Sequence, residues 1–260
     1  MIGIRMVVNL TKKGYSDKIY NCHINKEVLF MLFSEQQAVD VCSEEPSLIF
    51  SLIKRCNFEV VEKLLEENKV NVNTCDGVGN DVVTRLLKAK QYDLVIKFMK
   101  KRNWDVNHQN VEGNTFGHIL ALDNSVGALK VVEQLKKKKN FTPNIKNNKG
   151  ETVLDKAINN NYIYTAFKIL EDKRFDDIDL VTFKKLCDTC VKNSYYGKYS
   201  RLNNLEVILD NLVKKQLEPT MKKLIDVIVE NMDIIKVDIL RDRSAVLENI
   251  INATVMEATI

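Results

Sequence analysis

The sequence predicts an all-α protein, an α-solenoid of helix-turn-helix repeats, and three observations lead to this fold class. Apolar residues recur at the three- and four-residue intervals of a helix along most of the 260-residue chain. Only nine Gly and three Pro are present, too few for the many tight turns of an all-β sandwich. Finally, a Val-Asn or Pro-Asn dipeptide recurs along the chain and ends at Asn73, Asn107 and Asn144, 34 and 37 residues apart. This spacing is close to the period of about 33 residues that is typical of stacked units with one turn and two helices.

A stack of such repeats directs the search for function to its surface. Each repeat buries its apolar face only against its neighbours and leaves a long open face to solvent. We therefore expect no enclosed active-site cavity. The residues of interest are those on the turn tips and on the concave face of the first helices.

The N-terminal segment, residues 1–42, is predicted to cap one end of the stack. Residues 25–42 place apolar side chains on one helical stripe: Val28, Leu29, Leu32, Phe33 and Val39. The open end of a repeat array needs such a cover. We therefore predict a capping helix from Asn25 to Cys42.

Residues 43–178 are predicted to hold four repeats. Gly113 is followed two residues later by Thr115, and Gly150 by Thr152. A Gly at this place permits the positive φ of a tight turn, and the Thr hydroxyl can cap the helix that follows. In the two earlier units, Ser47 and Asp81 open the first helices. The second helices share apolar pairs four residues apart: Val60-Val61 with Leu64-Leu65, Leu94-Val95 with Phe98-Met99, Val131-Val132 with Leu135, and Thr165-Ala166 with Ile169-Leu170.

These units resemble the ankyrin repeat. Its Thr-Pro-Leu-His-x-Ala signature is matched in part by two groups of residues: Thr115, His118 and Leu120-Ala121, and Thr152, Leu154 and Ala157-Ile158. No unit has Pro after its Thr, and the Gly-His expected between the helices is replaced by Cys56-Asn57, Lys90-Gln91 and Asn161-Tyr162. The resemblance covers Ser43 to about Phe175. It implies an adaptor or inhibitor that binds proteins, and a structural hydrogen bond from His118 to the turn.

Residues 179–260 are predicted to form a C-terminal helical extension that begins as a degenerate repeat and ends as a cap. Periodicity predicts helices over Leu180–Val191, Leu202–Leu217, Thr220–Val229 and Ile234–Val255. From Gln216 onward the chain has five basic and eight acidic residues, a net charge of −3, which leaves +7 for the rest of a chain with a total of +4. The two parts are expected to face different partners.

The sequence offers little support for catalysis, cofactors or metals. Cys187 and Cys190 have the spacing of half a zinc site, but no second pair of ligands follows. The turn Gly77-Val78-Gly79 lacks the Lys and the further Gly of a phosphate-binding loop. His23 adjoins Cys22, yet a nucleophile needs an oriented base and an oxyanion site. We therefore predict a non-enzyme without cofactor or metal.

The predicted function is the binding of another protein through the turn tips and the concave face of the first helices. Basic residues dominate the N-terminal half of that face, and Ile119 and Leu122 form an apolar spot, which suits a partner with an acidic rim around an apolar anchor. The predicted contact residues are Lys54, Arg55, Asp76, Val78, Asn80, Arg85, Lys88, Asn110, Glu112, Ile119, Leu122, Asn147 and Lys149. The third unit carries three extra residues near Asp123 to Ser125. Alternatively, Ile119 and Leu122 pack beneath this inserted loop.

Three other functions stay open at this point. An effector acting on host proteins inside a host cell is the first, because divergent Lys/Asn-rich ankyrin-like proteins resemble those of AT-rich bacteria, viruses or protists. The second is an enzyme with a pocket formed by Cys187, Cys190, Tyr195, Tyr196 and the last helices. The third is nucleic-acid binding by the basic groove, which the lack of aromatic residues among its charges disfavours.

The composition predicts a cytoplasmic monomer, in the cytosol of a host cell if the protein is an effector. The six Cys stand singly in apolar or helical stretches and no cleavable leader is recognisable, which favours reduced thiols. The longest apolar run, Val28 to Phe33, is far too short to cross a bilayer. No membrane insertion is therefore expected.

Overall fold

A computed structural model describes residues 42–43, 46–172, 174, 178–192, 198–213, 219–241 and 245–258. Within these ranges the regular structure is helical, and a single bridge joins Cys75 and Asp81. The predicted all-α class is therefore confirmed. The chain divides into two compact units, Met1–Glu112 and Gly113–Ile260. The predicted capping helix lies outside the described residues except for Cys42, which is buried.

The first unit contains two helix pairs. Its described helices are α1 (Ile49–Lys54), preceded by a 3₁₀ turn (Pro46–Leu48), α2 (Phe58–Glu66), α3 (Val82–Lys88) and α4 (Tyr92–Phe98). Helix α1 packs on α2 and α3, and α3 packs on α4. Val60, Val61, Leu64 and Leu65 are all buried, as their four-residue interval predicts for one face of α2.

The regular structure described in the second unit is also helical. Its described helices are α5 (Phe116–Leu120), α6 (Val126–Lys136), α7 (Val153–Asn159), α8 (Ile163–Leu170), α9 (Leu180–Lys192), α10 (Lys198–Val213), α11 (Pro219–Glu230), α12 (Met232–Leu240) and α13 (Ala245–Ala258). Helices α5, α7 and α9 pack in series, and so do α6, α8 and α10. Within the second unit, the pair α7–α8 therefore packs on α5–α6, and the pair α9–α10 packs on α7–α8.

The last predicted helix, Ile234–Val255, is wrong. Helix α12 ends at Leu240, Arg241 lies in a turn, and α13 begins at Ala245 and packs on α11 and α12. A carboxylate oxygen of Asp238 accepts the Val246 backbone N–H at 3.0 Å and so caps the start of α13. The apolar periodicity of the sequence does not reveal this break, and neither Gly nor Pro marks it. The predicted helix Leu202–Leu217 corresponds to α10 as far as Val213, and residues 214–217 lie outside the described residues.

Three turns in front of α3, α5 and α7 share one geometry. Side-chain oxygens of Asp76, Asn110 and Asn147 accept the backbone N–H two residues further on, at 3.0, 3.0 and 2.9 Å. The Gly three residues after each has positive φ: Gly79 (77°), Gly113 (73°) and Gly150 (75°). These turns recur at the predicted intervals of 34 and 37 residues.

The helices after these turns begin at the predicted residues. Asp81, Thr115 and Thr152 are their N-caps. The Thr152 hydroxyl accepts the Asp155 backbone N–H at 3.2 Å, and Asp155 accepts the Thr152 backbone N–H at 2.9 Å, which forms a capping box. Turn and helix start are thus encoded within six residues.

Three corners between paired helices use the left-handed conformation without Gly. Cys56, Lys90 and Asn161 have φ of 59°, 58° and 60°. Such a residue costs about 1–2 kcal/mol when it is not Gly. The corner is held by the next backbone N–H, which reaches back to a helix carbonyl, as in the 3.0 Å bond from Gln91 to Leu86.

Candidate functional site

An open groove in the first unit is lined by α1, α3 and the turn before α3. Its polar lining includes four predicted contact residues: Lys54, Asp76, Arg85 and Lys88. Half-buried Phe50 and Phe58 and buried Ile53 line it as well. Hereafter this surface is called the cationic groove, because three cations face one carboxylate.

Two of the cations are held in place by the turn. The Arg85 guanidinium donates through Nε to Asp76, and Lys88 Nζ donates to the Asn80 amide oxygen at 3.2 Å. Burial acts to raise the pKa of Asp76, but backbone N–H donors and the Arg85 guanidinium together hold it below its usual value. Asp76 therefore stays ionised and orients Arg85.

The charge in the groove is incompletely balanced. Partial burial lowers the pKa of Lys88 and the neighbouring Arg85 lowers it further, although the carboxylates of Asp76 and Glu112 act in the opposite direction. Lys54, at the end of α1, is exposed. The groove can therefore favour an anion from outside the protein, because a bound carboxylate would relieve the repulsion between Lys88 and Arg85.

Other predicted contact residues lie at the turn tips. Val78 has 46% of its surface exposed, and Glu112 and Lys149 are also exposed. Asn110 is half-buried, and so is Arg55, which lies at the C-terminal end of α1 and not at a tip. Val78, Glu112 and Lys149 therefore each present a side chain to solvent.

Two predicted contact residues have a structural role instead. Asn80 is 1% exposed and Asn147 is 6% exposed. The Asn80 amide oxygen accepts from Asn110 Nδ2 at 3.0 Å, and Asn147 Nδ2 donates to the Asn114 amide oxygen at 2.9 Å. Each bond joins one turn to the next at equivalent positions, so Asn80 and Asn147 hold the turns and expose little surface.

Ile119 and Leu122 lie in the second unit, at the end of α5. Ile119 is half-buried, and 37% of Leu122 is exposed. The inserted loop after them bonds to the start of α8. There, the Asn124 amide oxygen accepts the Thr165 backbone N–H at 3.1 Å. The N-cap of α8, Tyr162, makes no side-chain cap bond, so the insertion supplies this cap.

The structural role of His118 is confirmed. This fully buried side chain accepts the Thr115 backbone N–H at Nδ1 (3.1 Å), and its Nε2–H donates to the Glu151 carbonyl at 2.9 Å. The Thr115 hydroxyl also lies 2.8 Å from Nδ1. The network assigns the proton to Nε2 and a neutral ring.

His118 makes stability depend on pH. Burial lowers the pKa of His118 below its usual 6.5 despite nearby Glu151 and Asp155, and Lys156 lowers it further. Below about pH 6.5 the unfolded chain binds a proton that native His118 does not, so the native state is expected to lose stability as the pH falls to the lowered pKa. Urea midpoints at pH 7.5 and 5.5 should differ less in His118→Gln than in wild type. Equal differences would exclude His118 as the group responsible.

The neighbouring Cys75 and His108 do not form a nucleophile and its base. His108 Nε2 lies 2.9 Å from the Gly79 carbonyl and 3.3 Å from the Cys75 sulfur. Because a carbonyl only accepts, Nε2 carries a proton and cannot take one from the thiol. Burial, then Asp81 and Asp76, raise the pKa of Cys75. The thiol is therefore protonated, and it donates to the Asn73 carbonyl at 3.3 Å.

The pair Cys187 and Cys190 on α9 is buried. Burial raises the pKa of both thiols, which disfavours the thiolate needed for attack or metal binding. A small cavity beside Cys187 is also lined by Lys184 and Glu248. The two Tyr of the predicted pocket, Tyr195 and Tyr196, lie outside the described residues.

Two features are absent from the part of the chain that the structure describes. Among these residues, no three His, Cys, Asp or Glu side chains are grouped to hold a metal ion. Within the same ranges, no helix combines the length and apolar character needed to cross a bilayer.

Comparison with known proteins assigns no family to this chain. The sequence matches no protein-family model, and no curated protein matches it. Function is therefore inferred from the geometry of the described residues.

Proposed function

We propose that this protein is a non-catalytic protein-binding module of the ankyrin-like solenoid type, whose partner carries an acidic rim around an apolar anchor. The cationic groove carries this proposal. Lys54, Arg85 and Lys88 share an open surface with one carboxylate and with the rings of Phe50 and Phe58. Such a surface attracts an acidic chain and offers apolar area to bury.

The recurring turns support the ankyrin-like part of the proposal. Their hydrogen bonds, positive-φ Gly and helix starts repeat at 34 and 37 residues. Within the second unit, first helices pack on first helices and second helices on second helices. This is the arrangement expected of stacked repeats.

The other basic clusters favour a protein partner over nucleic acid. Lys101 Nζ donates to the Leu65 carbonyl and to the Asn68 amide oxygen. Lys136 pairs with Glu133 and Glu171 at 3.1 and 2.7 Å. These cations serve helix ends and ion pairs within the protein, which leaves fewer for a phosphate backbone.

The proposal includes an apolar contact at Leu122 and Ile119 in the second unit, considered separately from the cationic groove. It also includes action in the cytosol as a monomer. Each of the five cysteines that the structure describes carries a free thiol, which supports a reducing compartment.

A displayed library of random peptides tests this function with no particular partner assumed. We expect selected ligands to be acidic and to lose about tenfold or more in affinity for Lys54→Glu/Lys88→Glu. The matched control is Lys69→Glu/Lys100→Glu, which makes the same charge change at exposed positions of the same unit. Leu122→Asp is measured in parallel as a test of the apolar contact.

The outcomes separate groove binding from general electrostatics. Ligands that weaken equally in both double variants would respond only to net charge, and the groove would not be the site. Ligands whose affinity is the same for wild type and for both double variants would contradict the proposal. Preferred binding of an RNA probe, with steep salt dependence, would favour nucleic acid instead.

A further inference from the structure

We propose that the cationic groove takes an extended acidic segment whose two carboxylates are three residues apart, one meeting Arg85 and Lys88 on α3 and the other meeting Lys54 on α1. This inference rests on the proposed function and specifies its partner. It names a spacing and a backbone conformation that charge attraction alone does not require.

The spacing follows from the positions of the two lysines. Lys54 is the last residue of α1, and Lys88 is the last residue of α3. Helices α1 and α3 pack directly on each other, and packed helices lie about 8–10 Å apart. A carboxylate pair that meets both lysines must span a similar distance.

An extended segment meets this requirement with a simple pattern. In the polyproline II conformation, residues i and i+3 point to the same side and lie about 9 Å apart. In a β-strand they point to opposite sides. A helix with its side chains is about 10–12 Å wide, wider than the furrow between two packed helices. A segment with the pattern Glu-x-x-Glu in polyproline II conformation therefore fits best.

The cations on α3 are prepared for this contact. Asp76 holds Arg85 through Nε, and the buried Asn80 amide holds Lys88. Asn80 is itself fixed by the amide of Asn110. Groups that are ordered before binding lose less entropy when the ligand arrives.

The apolar part of the groove lies beside Lys54. Phe50 precedes Lys54 by four residues on α1, so both lie on one face of that helix. Phe58 begins α2 and lines the same groove. An apolar residue of the segment next to its second carboxylate would cover these rings.

Defined peptides test the spacing. A labelled peptide with Glu at i and i+3 is compared by fluorescence anisotropy with one of identical composition with the two Glu adjacent, and with a helical peptide with Glu at i and i+7. We expect the i, i+3 peptide to bind about tenfold more tightly than either. Equal affinities, or tighter binding of the helical peptide, would overturn the inference while groove binding as such would stand. If no acidic peptide binds and library ligands ignore the groove substitutions, the proposed function itself fails.

The thiols in the groove report where the peptide lies. Cys56 and Cys75 line the groove and are exposed. Bound i, i+3 peptide is expected to slow their alkylation by iodoacetamide, followed residue by residue by mass spectrometry. Buried Cys187 and Cys190 serve as internal references. Binding with unchanged alkylation of both exposed thiols would locate the ligand elsewhere and overturn the inference.

Gly77 allows a steric block at the turn side of the groove. It has no positive φ, and a Cβ added there would meet no atom within 4 Å. Gly77→Trp is therefore expected to fold normally, with an unchanged circular dichroism spectrum, and to abolish peptide binding. Lys139→Trp, at an exposed turn of the second unit that has no predicted contact, is the control. A folded Gly77→Trp that binds like wild type would overturn the inference.

Discussion

Trp104→Ala is expected to lower the free energy of unfolding by about 4 kcal/mol, in the range for deleting a buried Trp side chain. Trp104 is 2% exposed, so its loss opens a cavity in the first unit. Its indole N–H also donates to the buried Asp81 carboxylate at 2.9 Å. The other Asp81 oxygen accepts the Thr84 backbone N–H at 2.6 Å and caps α3. The substitution therefore removes apolar contacts and a donor to a buried charge.

The measurement is urea or guanidinium unfolding followed by circular dichroism at 222 nm, because the variant lacks its only Trp. Trp104→Phe is the matched control, since it keeps most of the apolar volume and removes the N–H. It is expected to cost about 1–3 kcal/mol, the penalty for leaving a buried acceptor short of a partner. Burial already raises the pKa of Asp81, and the lost donor should raise it further. A cost below about 1 kcal/mol for Trp104→Ala would contradict the packing described.

Gly113→Ala is expected to cost about 3 kcal/mol, from the sum of a left-handed backbone and a steric overlap. Gly113 has φ of +73°. A Cβ there would lie 2.4 Å from the Asn148 amide oxygen and 2.7 Å from the Asn148 backbone nitrogen. A side chain can turn away, but a backbone nitrogen held in a turn moves only with the turn.

Gly150→Ala provides the matched control. Its φ is +75°, and a Cβ there would have no atom within 4 Å. The left-handed backbone alone should cost about 1–2 kcal/mol. The difference between the two variants, measured by the same unfolding experiment, therefore isolates the contact with Asn148. Equal costs at both positions would show that the turns are not packed as closely as described.

The helix starts and turns illustrate what short-range patterns reveal. Gly-x-Thr at 113–115 and 150–152 predicts a tight turn and a capped helix, and both are present. The break at Arg241 was missed, because apolar periodicity continues on both sides and the Asp238 cap acts across eight residues. The packing of α13 on α11 is one of the contacts that accompany this break.

The candidate site was also predicted only in part, because contacts between residues that are distant in the sequence do not appear in local patterns. Lys54, Arg85 and Lys88 were expected on one face, and they line one groove. Asn80 and Asn147 were expected at exposed tips, yet both are buried. Turn residues are commonly exposed, and nothing near Asn80 in sequence indicates that Asn110 will bond to it.

Local sequence patterns were enough to predict the helical class, the period of the turns and the starts of α3, α5 and α7. These features depend on backbone preferences and on hydrogen bonds between residues two to five positions apart, which a linear pattern contains. Long-range packing, by contrast, sets which side chains stay exposed and which join one turn to the next. The bonds from Asn110 to Asn80 and from Asn147 to Asn114 span 30 and 33 residues, and burial at that range depends on packing rather than on neighbours in the chain.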